Sequence, residues 1–360
     1  WKTAIHGRGW SSPVIWENQI WLTTATPDGK TLSAVCINAT TGKTLFEKKF
    51  FEVETPQFAH KFNSYASPTP VIEQGRVYLS WGSPGTACVD TKTFETLWTR
   101  RDLACDHFRG AGSSPILWND LLINNHDGAD TQYVFALNKK TGKTAWTHHR
   151  AFDFQTTNGD RKKAYGTPSI ITHKGLEQLI APAAVATEAL NPLTGKLLWT
   201  ARTGGMNASA RPVYGNGLVF VTNGMGRMSA IVPEGKGDLG KNKIAWSSKR
   251  GVPKKSSLIL DGELLYMVSD LGVASCVDAK SGTPHWASRL GGNYAASPIL
   301  SRGRIYFFNQ DGDIPVIATG KKFKLLARNK LADGFMASAA IAGDSLILRT
   351  KSALYRIATK

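Results

Sequence analysis

Long apolar runs are absent from this sequence of 360 residues, which contains no stretch of about 18 consecutive apolar residues. A membrane-spanning helix is therefore not expected. A secretory signal pattern is absent as well, yet the sequence begins at Trp1, inside a predicted strand, rather than at a methionine. The sequence leaves open whether a leader or a lipid anchor preceded this residue.

Acidic residues are also scarce: 27 Asp and Glu stand against 44 Lys and Arg, which gives a formal net charge of +17. This excess favours an anionic ligand, an acidic surface or a polyanion as a partner, with a merely solvated basic surface as the alternative. Nucleic acid is not expected. No recognition motif for it is present, and the basic runs are limited to Arg161-Lys-Lys163 and Lys321-Lys322.

One short segment recurs along the chain, and its clearest copy is Thr141-Gly-Lys-Thr-Ala-Trp146. Apolar runs precede and follow its glycine-centred turn, a pattern typical of a β-hairpin. Close copies begin at Thr41, Thr194 and Ser281. Each hairpin ends in a large residue that we expect to pack between neighbouring sheets, because an aromatic side chain buries about 150–250 Å². These docking residues are Phe46, Trp98, Trp146, Trp199, Trp246, Trp286 and Leu326, with Trp1 as the eighth.

A second mark precedes each copy: a small residue, usually proline, followed by an apolar run, a polar turn and another apolar run. Eight such anchors are spaced 41 to 57 residues apart, at Pro13, Pro70, Pro115, Pro168, Pro212, Ser257, Pro298 and Ala339. Four short strands in each period of about 40 to 50 residues indicate propeller blades. The sequence therefore predicts an all-β fold: an eight-bladed β-propeller of four-stranded antiparallel blades, forming a single domain over residues 1–360.

The last repeat lacks an outer strand of its own, because the sequence ends soon after the apolar runs 346–349 and 353–357. Residues 1–5 have the opposite character, since they form an outer strand with no hairpin before it. We expect the two segments to pair. The N-terminal strand would then close the ring and leave no open junction between the first and last blades.

Cysteine is rare, and its four positions do not form a disulfide framework. Cys36, Cys88 and Cys276 occupy the same place in the third strand of different blades, so they lie farther apart than the roughly 4.4–6.8 Å between Cα atoms that a disulfide requires. We expect buried free thiols in the strands, with Cys105 in a loop.

The unit Ala-x-Asp/Asn-x-x-Thr-Gly-Lys-x-x-Trp, as in Ala136 to Trp146 and Ala189 to Trp199, resembles the repeat of pyrroloquinoline-quinone (PQQ) type propellers. That superfamily includes eight-bladed quinone-dependent alcohol dehydrogenases and BamB-type outer-membrane assembly proteins. The chain as a whole also resembles PQQ-like repeat proteins of planctomycete-type bacteria. The resemblance implies the propeller fold over essentially the whole chain and a periplasmic or otherwise extracytoplasmic location.

The same resemblance implies no single activity, because the motif packs blade against blade in enzymes and scaffolds alike. The quinone enzymes carry an adjacent Cys-Cys pair near the cofactor and acidic residues for a calcium ion. This chain has no Cys-Cys pair. We therefore expect no tightly bound quinone and no other cofactor.

The site is expected at the end of the ring opposite the Thr-Gly-Lys turns, where each outer strand connects to the next inner strand beside the central channel. The three longest of these connections follow Phe46, Trp98 and Trp146, which places the site over blades 1 to 4. These connections and a neighbouring loop of blade 3 hold five of the eight histidines: His60, His107, His126, His148 and His149.

Residues just before the inner strands are mostly polar or aromatic. Such groups bind carboxylates or sulfates through charge-assisted hydrogen bonds, and sugar hydroxyls through amides and phenols. We therefore predict an anionic small molecule, most plausibly an acidic or sulfated saccharide, as the ligand of a monomer. The alternative is that these groups only satisfy loop backbone and channel water. The predicted ligand-binding residues are Arg8, His60, Asn63, Tyr65, Asp106, Arg109, Lys163, Asn207, Arg211, Lys254, Lys255, Asn293 and Tyr294.

Catalytic motifs are scarce, and the nucleophile elbow Gly-x-Ser-x-Gly is absent. Non-catalytic binding is therefore the main interpretation, with a BamB-like scaffold for a protein partner or a quinone-dependent dehydrogenase as alternatives. If the protein is an enzyme, we expect lyase-type chemistry on an acidic saccharide, with His107 or Tyr165 as acid or base. Arg109, Arg211 or Lys254 would then neutralise the substrate carboxylate.

No metal is expected from the sequence. Neither the segment 127–130 nor the segment 153–160 has the spacing of a calcium-binding loop. The histidines lack the close pair on one element that a zinc site usually has.

Overall fold

The computed structural model describes residues 1–358 and confirms an eight-bladed β-propeller. Each blade is an antiparallel sheet whose strands follow the chain from the central channel to the rim. Blades 1 to 4 comprise, from the inner strand outwards, Val14–Trp16, Gln19–Ala25, Thr31–Asn38 and Thr44–Glu52; Val71–Glu73, Arg76–Ser80, Thr86–Asp90 and Thr96–Arg100; Ile116–Trp118, Leu121–Asp127, Gln132–Asn138 and Thr144–His149; and Ser169–His173, Leu176–Pro182, Thr187–Leu190 and Leu197–Ala201.

Blades 5 to 8 follow the same order. They comprise Val213–Gly215, Leu218–Thr222, Met228–Ile231 and Ile244–Ser248; Ile259–Asp261, Leu264–Val268, Val273–Asp278 and Pro284–Arg289; Ile299–Ser301, Arg304–Tyr306, Asp313–Ala318 and Leu325–Lys330; and Ala340–Ala342, Ser345–Arg349, Ala353–Ala358 and Lys2–Ala4. Two short 3₁₀ turns, Gly159–Arg161 and Lys241–Lys243, lie in connections.

The ring closes as the sequence predicts. The N-terminal strand Lys2–Ala4 pairs antiparallel with Ala353–Ala358, with Lys2 opposite Tyr355. The last blade therefore contains strands from both ends of the chain, and no junction between blades 1 and 8 is left open.

Burial follows from the way the blades stack face to face. Middle strands are covered on both faces, so Leu121–Asp127 is buried along its whole length. Outer strands have one face toward solvent, and Thr96–Arg100 alternates between more and less exposed residues. The apolar clusters accordingly lie between neighbouring blades; one of them joins Trp21 of blade 1 to Val77 of blade 2.

The docking residues hold each blade to the turn of the next. The Trp98 ring covers Gly142, whose φ is +71° and where an added Cβ would lie 2.7 Å from the indole. Only glycine fits this turn without strain. The indole N–H groups then donate to backbone carbonyls of the following blade, in the pairs Trp1 to Ala39, Trp98 to Lys139, Trp146 to Pro192, Trp246 to Ala279 and Trp286 to Gly320, at 3.0–3.2 Å.

Three docking positions depart from this pattern. Phe46 has no N–H and instead stacks on Phe94 of blade 2, with ring centroids 5.0 Å apart. Trp199 donates to Gln178 within its own blade. The prediction for Leu326 is wrong by one residue, because the strand register places Ala327 opposite Val316 and leaves Leu326 43% exposed.

A ring of hydrogen bonds links the inner ends of the blades. The residue at the start of each repeat donates its backbone N–H to the side-chain hydroxyl of the equivalent residue in the next blade. The seven bonds run from Ser12 to Thr69, Thr69 to Ser114, Ser114 to Thr167, Arg211 to Ser257, Ser257 to Ser297, Ser297 to Ser338, and Ser338 to Ser12. The link from Thr167 is missing because Arg211, at the next equivalent position, has no hydroxyl.

The joint between blades 4 and 5 differs at the rim as well. The strand Gly237–Leu239, from an insertion in blade 5, pairs in parallel with Leu197–Ala201 of blade 4. Blade 4 therefore has a fifth strand, which is the one departure from the four-stranded prediction among residues 1–358.

The thiols are as predicted. All four cysteines are free and buried, and Cys105 lies in the connection between blades 2 and 3. In the part of the chain that the structure describes, no helix has the length and apolar character needed to cross a membrane.

Candidate binding site at the channel mouth

A cavity of about 610 Å³ opens at the end of the ring opposite the glycine turns. One wall residue comes from each blade, always two positions before the residue of the hydrogen-bonded ring, so the cavity is the mouth of the central channel. These eight residues are Trp10, Ser67, Gly112, Tyr165, Ser209, Lys255, Ala295 and Met336. Equivalent positions thus carry eight side chains of very different chemistry.

Loops above this ring complete the wall with His60, Phe62, Asn63, Arg109, Asn207, Gly224, Lys254 and Asp270. Seven predicted residues therefore lie together at one cavity: His60, Asn63, Arg109, Tyr165, Asn207, Lys254 and Lys255. The cavity extends past blades 1 to 4, because both lysines come from the short connection that precedes blade 6.

The cavity wall has an excess of positive charge. Lys255 Nζ lies 2.6 Å from the Asp270 carboxylate, so this pair is largely compensated. Arg109 contacts Asp160 at a longer distance of 3.5 Å, and its side chain is 38% exposed. Lys254 forms no ion pair within residues 1–358. An anion at the mouth would therefore meet two cations that are weakly compensated or not paired at all.

Three polar atoms of the residues that line the cavity are buried and have no hydrogen-bond partner among the described residues. They are the indole Nε1 of Trp10, the guanidinium Nε of Arg109 and the amide oxygen Oδ1 of Asn207. An unsatisfied buried polar atom typically costs about 1–3 kcal/mol. Because all three atoms are covered by protein, a ligand in the cavity reaches them only if these side chains turn toward it.

Asn63 serves the loops rather than the cavity. Its Nδ2 donates to the carbonyls of Arg109 and Ala111, both at 3.0 Å, and its Oδ1 accepts from Ser67. The His60 amide also donates to the Arg109 carbonyl. The two long loops are therefore tied together, which holds Arg109 in place at the mouth.

Burial explains why two predicted ligand-binding residues do not line the cavity. Lys163 is fully buried, where its ammonium contacts Asp160 and lies 4.6 Å from the ring centroid of Phe108. Tyr294 is also fully buried. The sequence places both residues next to an inner strand, but it does not reveal which way a side chain turns.

The other predicted residues outside the wall are held by local contacts. Arg8 packs on the Trp10 ring and donates to the Lys61 carbonyl, and the Asp106 carboxylate accepts from the Phe108 amide. Arg211 donates through Nε to the Ser169 hydroxyl. Tyr65 places its ring against Gly29, and Asn293 accepts at its carbonyl from the Gln310 amide.

The two residues considered for catalysis are not arranged as a base at the cavity. His107 is buried, its Nε2 accepts from the Ser83 amide at 2.9 Å, and burial lowers the pKa of its imidazole to about 4. Tyr165 donates its hydroxyl to the His107 carbonyl, and burial raises the pKa of the phenol. A phenol that resists ionisation is a poor proton acceptor.

A buried charge network joins blades 3 and 4 beside the mouth, and the sequence analysis missed it. Arg150 makes two hydrogen bonds to Asp127, at 2.6 and 2.8 Å, and one to Glu188 at 2.8 Å. His148 lies 3.2 Å from the same Glu188 carboxylate. Burial alone raises the pKa of Glu188, but His148 and Arg150 outweigh it and hold that pKa below its usual value.

Trp10, Phe62 and Asp270 are further cavity residues that the sequence analysis missed. A signal for Trp10 is present in the sequence, because it stands two residues before Ser12, as Lys255 does before Ser257. The signal becomes visible only when the repeats are aligned on the residue that precedes the proline. Phe62 and Asp270 lie in loops with no such register.

These observations define the protein as an eight-bladed β-propeller with an open, basic channel mouth. The family model described as "Outer membrane protein assembly factor BamB" matches residues 1–288 and 236–352. The chain belongs to this family of PQQ-like propellers. No curated protein matches the sequence.

Solved structures with a similar fold include BamB from Moraxella catarrhalis, at 10% identity and a TM-score of 0.67, covering 99% of this chain and 98% of that one. A europium-containing methanol dehydrogenase has 11% identity and a TM-score of 0.72, covering 99% and 85%. Quinohemoprotein alcohol dehydrogenase from Comamonas testosteroni has 11% identity and a TM-score of 0.70, covering 99% and 75%. At these identities the similarity establishes the fold alone.

The donor set at the mouth does not fit the quinone and calcium ion that the resemblance to quinone-dependent dehydrogenases implies. Calcium takes six to eight oxygen ligands, several of them carboxylates. The described wall offers one carboxylate, Asp270, which is already paired with Lys255. No two cysteines are adjacent in the sequence.

Proposed function

We propose that this propeller is a non-catalytic binding protein that takes an anionic ligand, an acidic or sulfated saccharide, at the channel mouth. The observation that carries the proposal is the positive charge of the cavity wall, where Arg109 is only weakly paired with Asp160 and Lys254 has no ion pair in the described chain. A carboxylate or sulfate accepts charge-assisted hydrogen bonds from these two cations, and the hydroxyls of a sugar pair with side-chain amides such as that of Asn207. An acidic saccharide carries both kinds of group.

Charge and shape support the same ligand class. Arg109 and Lys254 supply positive charge that is weakly compensated, and the aromatic side chains of Trp10, Phe62 and Tyr165 offer flat apolar surface for the C–H faces of a sugar ring. The cavity of about 610 Å³ lies within the range of roughly 300–1,000 Å³ that is usual for small-molecule sites. The proposal covers a monomer with one domain, located outside the cytoplasm in keeping with the outer-membrane role named in the family description.

The test is calorimetric titration with galacturonate oligomers, sulfated oligosaccharides and neutral oligosaccharides of equal size. We expect the acidic ligands to bind more tightly than the neutral ones, and less tightly as salt approaches 1 M, where the Debye length is about 3 Å. Arg109→Ala removes a charge-assisted hydrogen bond of about 1.5–3 kcal/mol and should weaken binding about ten- to a hundredfold. Lys143→Ala, an exposed cation at the turn end, is the matched control and should bind like the wild type.

Two outcomes would contradict the proposal. One outcome is that no acidic saccharide binds, and the other is that the Arg109→Ala and Lys143→Ala variants bind with equal affinity. Either result would show that the basic residues of the mouth are solvated surface residues without a role in binding. An unsaturated uronate product in the same samples would show that the protein is a lyase rather than a non-catalytic binder.

A second candidate, a scaffold for a protein partner, is favoured by exposed apolar side chains on the mouth face. Phe58 is 66% exposed and Leu271 is 70% exposed, and both lie in loops beside the cavity. The two candidates respond differently to substitution. A protein partner captured by the wild type should be lost in a Phe58→Ser, Leu271→Ser double variant and retained by Arg109→Ala, whereas saccharide binding should show the reverse.

A further inference from the structure

One group of side chains beneath the mouth takes no part in the proposed binding site. Cys105, His107 and His126 are 2%, 6% and 1% exposed, and each offers one ligand atom within 4.8 Å of the others. His126 comes from the second strand of blade 3, and the other two come from the connection before that blade. The fold therefore brings together one cysteine and two histidines that come from two different segments of the chain.

The separation of Cys105 and His107 matches that of two ligands of one metal ion. The Cys105 sulfur lies 3.5 Å from Nδ1 and 3.7 Å from Nε2 of His107. A Zn–S bond of about 2.3 Å and a Zn–N bond of about 2.0–2.1 Å place sulfur and nitrogen about 3.5 Å apart at a tetrahedral angle. A trigonal arrangement widens this distance slightly. The sulfur and one imidazole nitrogen thus have a separation that a single ion can bridge.

His126 supplies an independent indication of a ligand. Its Nδ1 lies 3.0 Å from the Leu103 carbonyl, which fixes the proton on that nitrogen. Its Nε2 is buried and has no hydrogen-bond partner among the described residues. A ring nitrogen held by a backbone carbonyl on one side and open on the other is the usual arrangement of a metal-ligating histidine.

The His107 imidazole fits beside Gly82 because glycine has no side chain. Gly82 has φ +75°, and an added Cβ would lie 2.4 Å from His107 Nε2. A larger residue at this position would exclude the imidazole. The Ser83 amide donates to the same nitrogen, so the unprotonated Nε2 is the atom that exchanges its hydrogen bond for a metal bond.

We propose that Cys105, His107 and His126 form a binding site for one thiophilic metal ion, Zn²⁺ or Cu⁺. One thiolate and two imidazoles are ligands that both ions accept, while Ca²⁺ and Mg²⁺ require oxygen ligands. The Cys105 thiol loses its proton to solvent when the ion binds, and no oxidation or reduction takes place. The site is independent of whatever ligand the mouth takes.

The protonation states of the metal-free protein are compatible with this reaction. Burial lowers the pKa of His107 to about 4 and that of His126 to about 3, so both imidazoles are neutral at pH 7. Burial raises the pKa of the Cys105 thiol. Close to one proton should therefore be released for each ion bound at pH 7.

The experiment uses the full chain freed of metal by a chelator. ZnCl₂ and a buffered Cu⁺ complex are titrated separately, with the bound metal measured by elemental analysis and the protons by an indicator dye. CoCl₂ serves as a spectroscopic probe, because a thiolate bound to Co²⁺ gives a charge-transfer band. We expect one ion per chain, about one proton per ion, and a higher melting temperature with the preferred ion, which also decides between zinc and copper.

Variants assign the site. Cys105→Ser should abolish the cobalt charge-transfer band and weaken binding by more than the roughly ten- to hundredfold that loss of a residue supporting a ligand costs, because it removes a ligand itself. Cys276→Ser, which alters a buried free thiol in blade 6, is the matched control and should retain both. If Cys105→Ser does not fold, the variants in which Cys36, Cys88 and Cys276 are singly replaced by Ala should each keep the band. The proposal is overturned if the wild type binds neither Zn²⁺ nor Cu⁺ stoichiometrically, or if the band survives in folded Cys105→Ser.

Discussion

The two ends of the ring use equivalent positions in opposite ways. At the turn end, the indole of one blade covers the turn glycine of the next and donates to a nearby carbonyl, a contact made by Trp98 on Gly142 and by Trp246 on Gly282. At the mouth, the equivalent positions of three blades hold Tyr165, Lys255 and Ala295. The repeated contact at the turn end holds the blades in position. The side chains at equivalent positions of the mouth are therefore not needed for this role and differ from blade to blade.

Some contacts at the mouth end join only one pair of blades and are not repeated around the ring. The Arg150 network joins blades 3 and 4 through two carboxylates, and it has no counterpart between the other blades in residues 1–358. At the turn end, many similar contacts each contribute part of the stability of the ring. At the mouth end, a single buried network contributes a large part by itself. Substitutions at the two ends should therefore differ in size and kind.

The largest effect is expected for Arg150→Met. This change leaves the carboxylates of Asp127 and Glu188 buried without their cation, which typically costs about 3–5 kcal/mol. Urea unfolding measures the loss. Lys280→Met removes an exposed ion pair with Glu263 and should change the free energy of unfolding by no more than about 1 kcal/mol. Equal losses in the two variants would show that the buried network contributes no more than a surface pair.

A smaller loss is expected when a turn glycine is replaced. Gly142→Ala requires both a positive φ and a Cβ 2.7 Å from the Trp98 ring, whereas Gly75→Ala requires only the positive φ, with nothing within 4 Å. The control Gly75→Ala should cost about 1–2 kcal/mol. Gly142→Ala should cost about 1–3 kcal/mol more because of overpacking. Indistinguishable melting temperatures of the two variants would contradict the docking role of the indole.

Arg211→Ser should have a still smaller effect, in the stabilising direction. A hydroxyl at position 211 can accept from the Thr167 amide and so complete the ring of seven hydrogen bonds. Such a bond contributes about 0.5–1.5 kcal/mol. Arg211→Ala removes the same side chain without supplying a hydroxyl, so the difference in unfolding free energy between the two variants isolates the new bond. No difference between them would show that the Thr167 amide is already satisfied.

The smallest effect concerns pH at the mouth. Partial burial, Arg109 and two neighbouring lysines lower the pKa of His60 below its usual value of 6.5, so its imidazole is neutral at pH 7. Protonation adds a positive charge to the wall, and an anion favours that form. Affinity for an acidic saccharide should therefore rise a few-fold as the pH falls from 7.5 toward 5, and His60→Gln should remove this rise. An equal pH dependence in the variant would assign the effect to another group.

The sequence was sufficient for the fold because the repeated positions are the ones that pack. The proline anchors and the Thr-Gly-Lys turns predicted eight blades and the closure by Lys2–Ala4. Leu326 was misplaced by one residue because the turn between Asp313–Ala318 and Leu325–Lys330 is one residue longer than that between Gln132–Asn138 and Thr144–His149. An insertion of this size leaves no clear mark in the sequence.

The site was predicted less completely, for a physical reason. Six of the thirteen predicted ligand-binding residues line the mouth, as does Tyr165, since polar residues before an inner strand lie near the channel. Whether a side chain reaches the cavity depends on tertiary contacts, as the burial of Lys163 against Asp160 illustrates. Clusters that join two elements, such as Cys105 with His126, have no regular spacing at all.

The joint between blades 4 and 5 gives the ring an uneven stiffness. It lacks the hydrogen bond near the axis that seven other joints have, yet the strand Gly237–Leu239 fastens it at the perimeter. Blades 4 and 5 are therefore held to each other more firmly at the rim than near the axis, so any rotation between them takes place about the rim. A small rotation of one blade against the other would then widen the channel wall beside Arg211 while the circumference stays fixed.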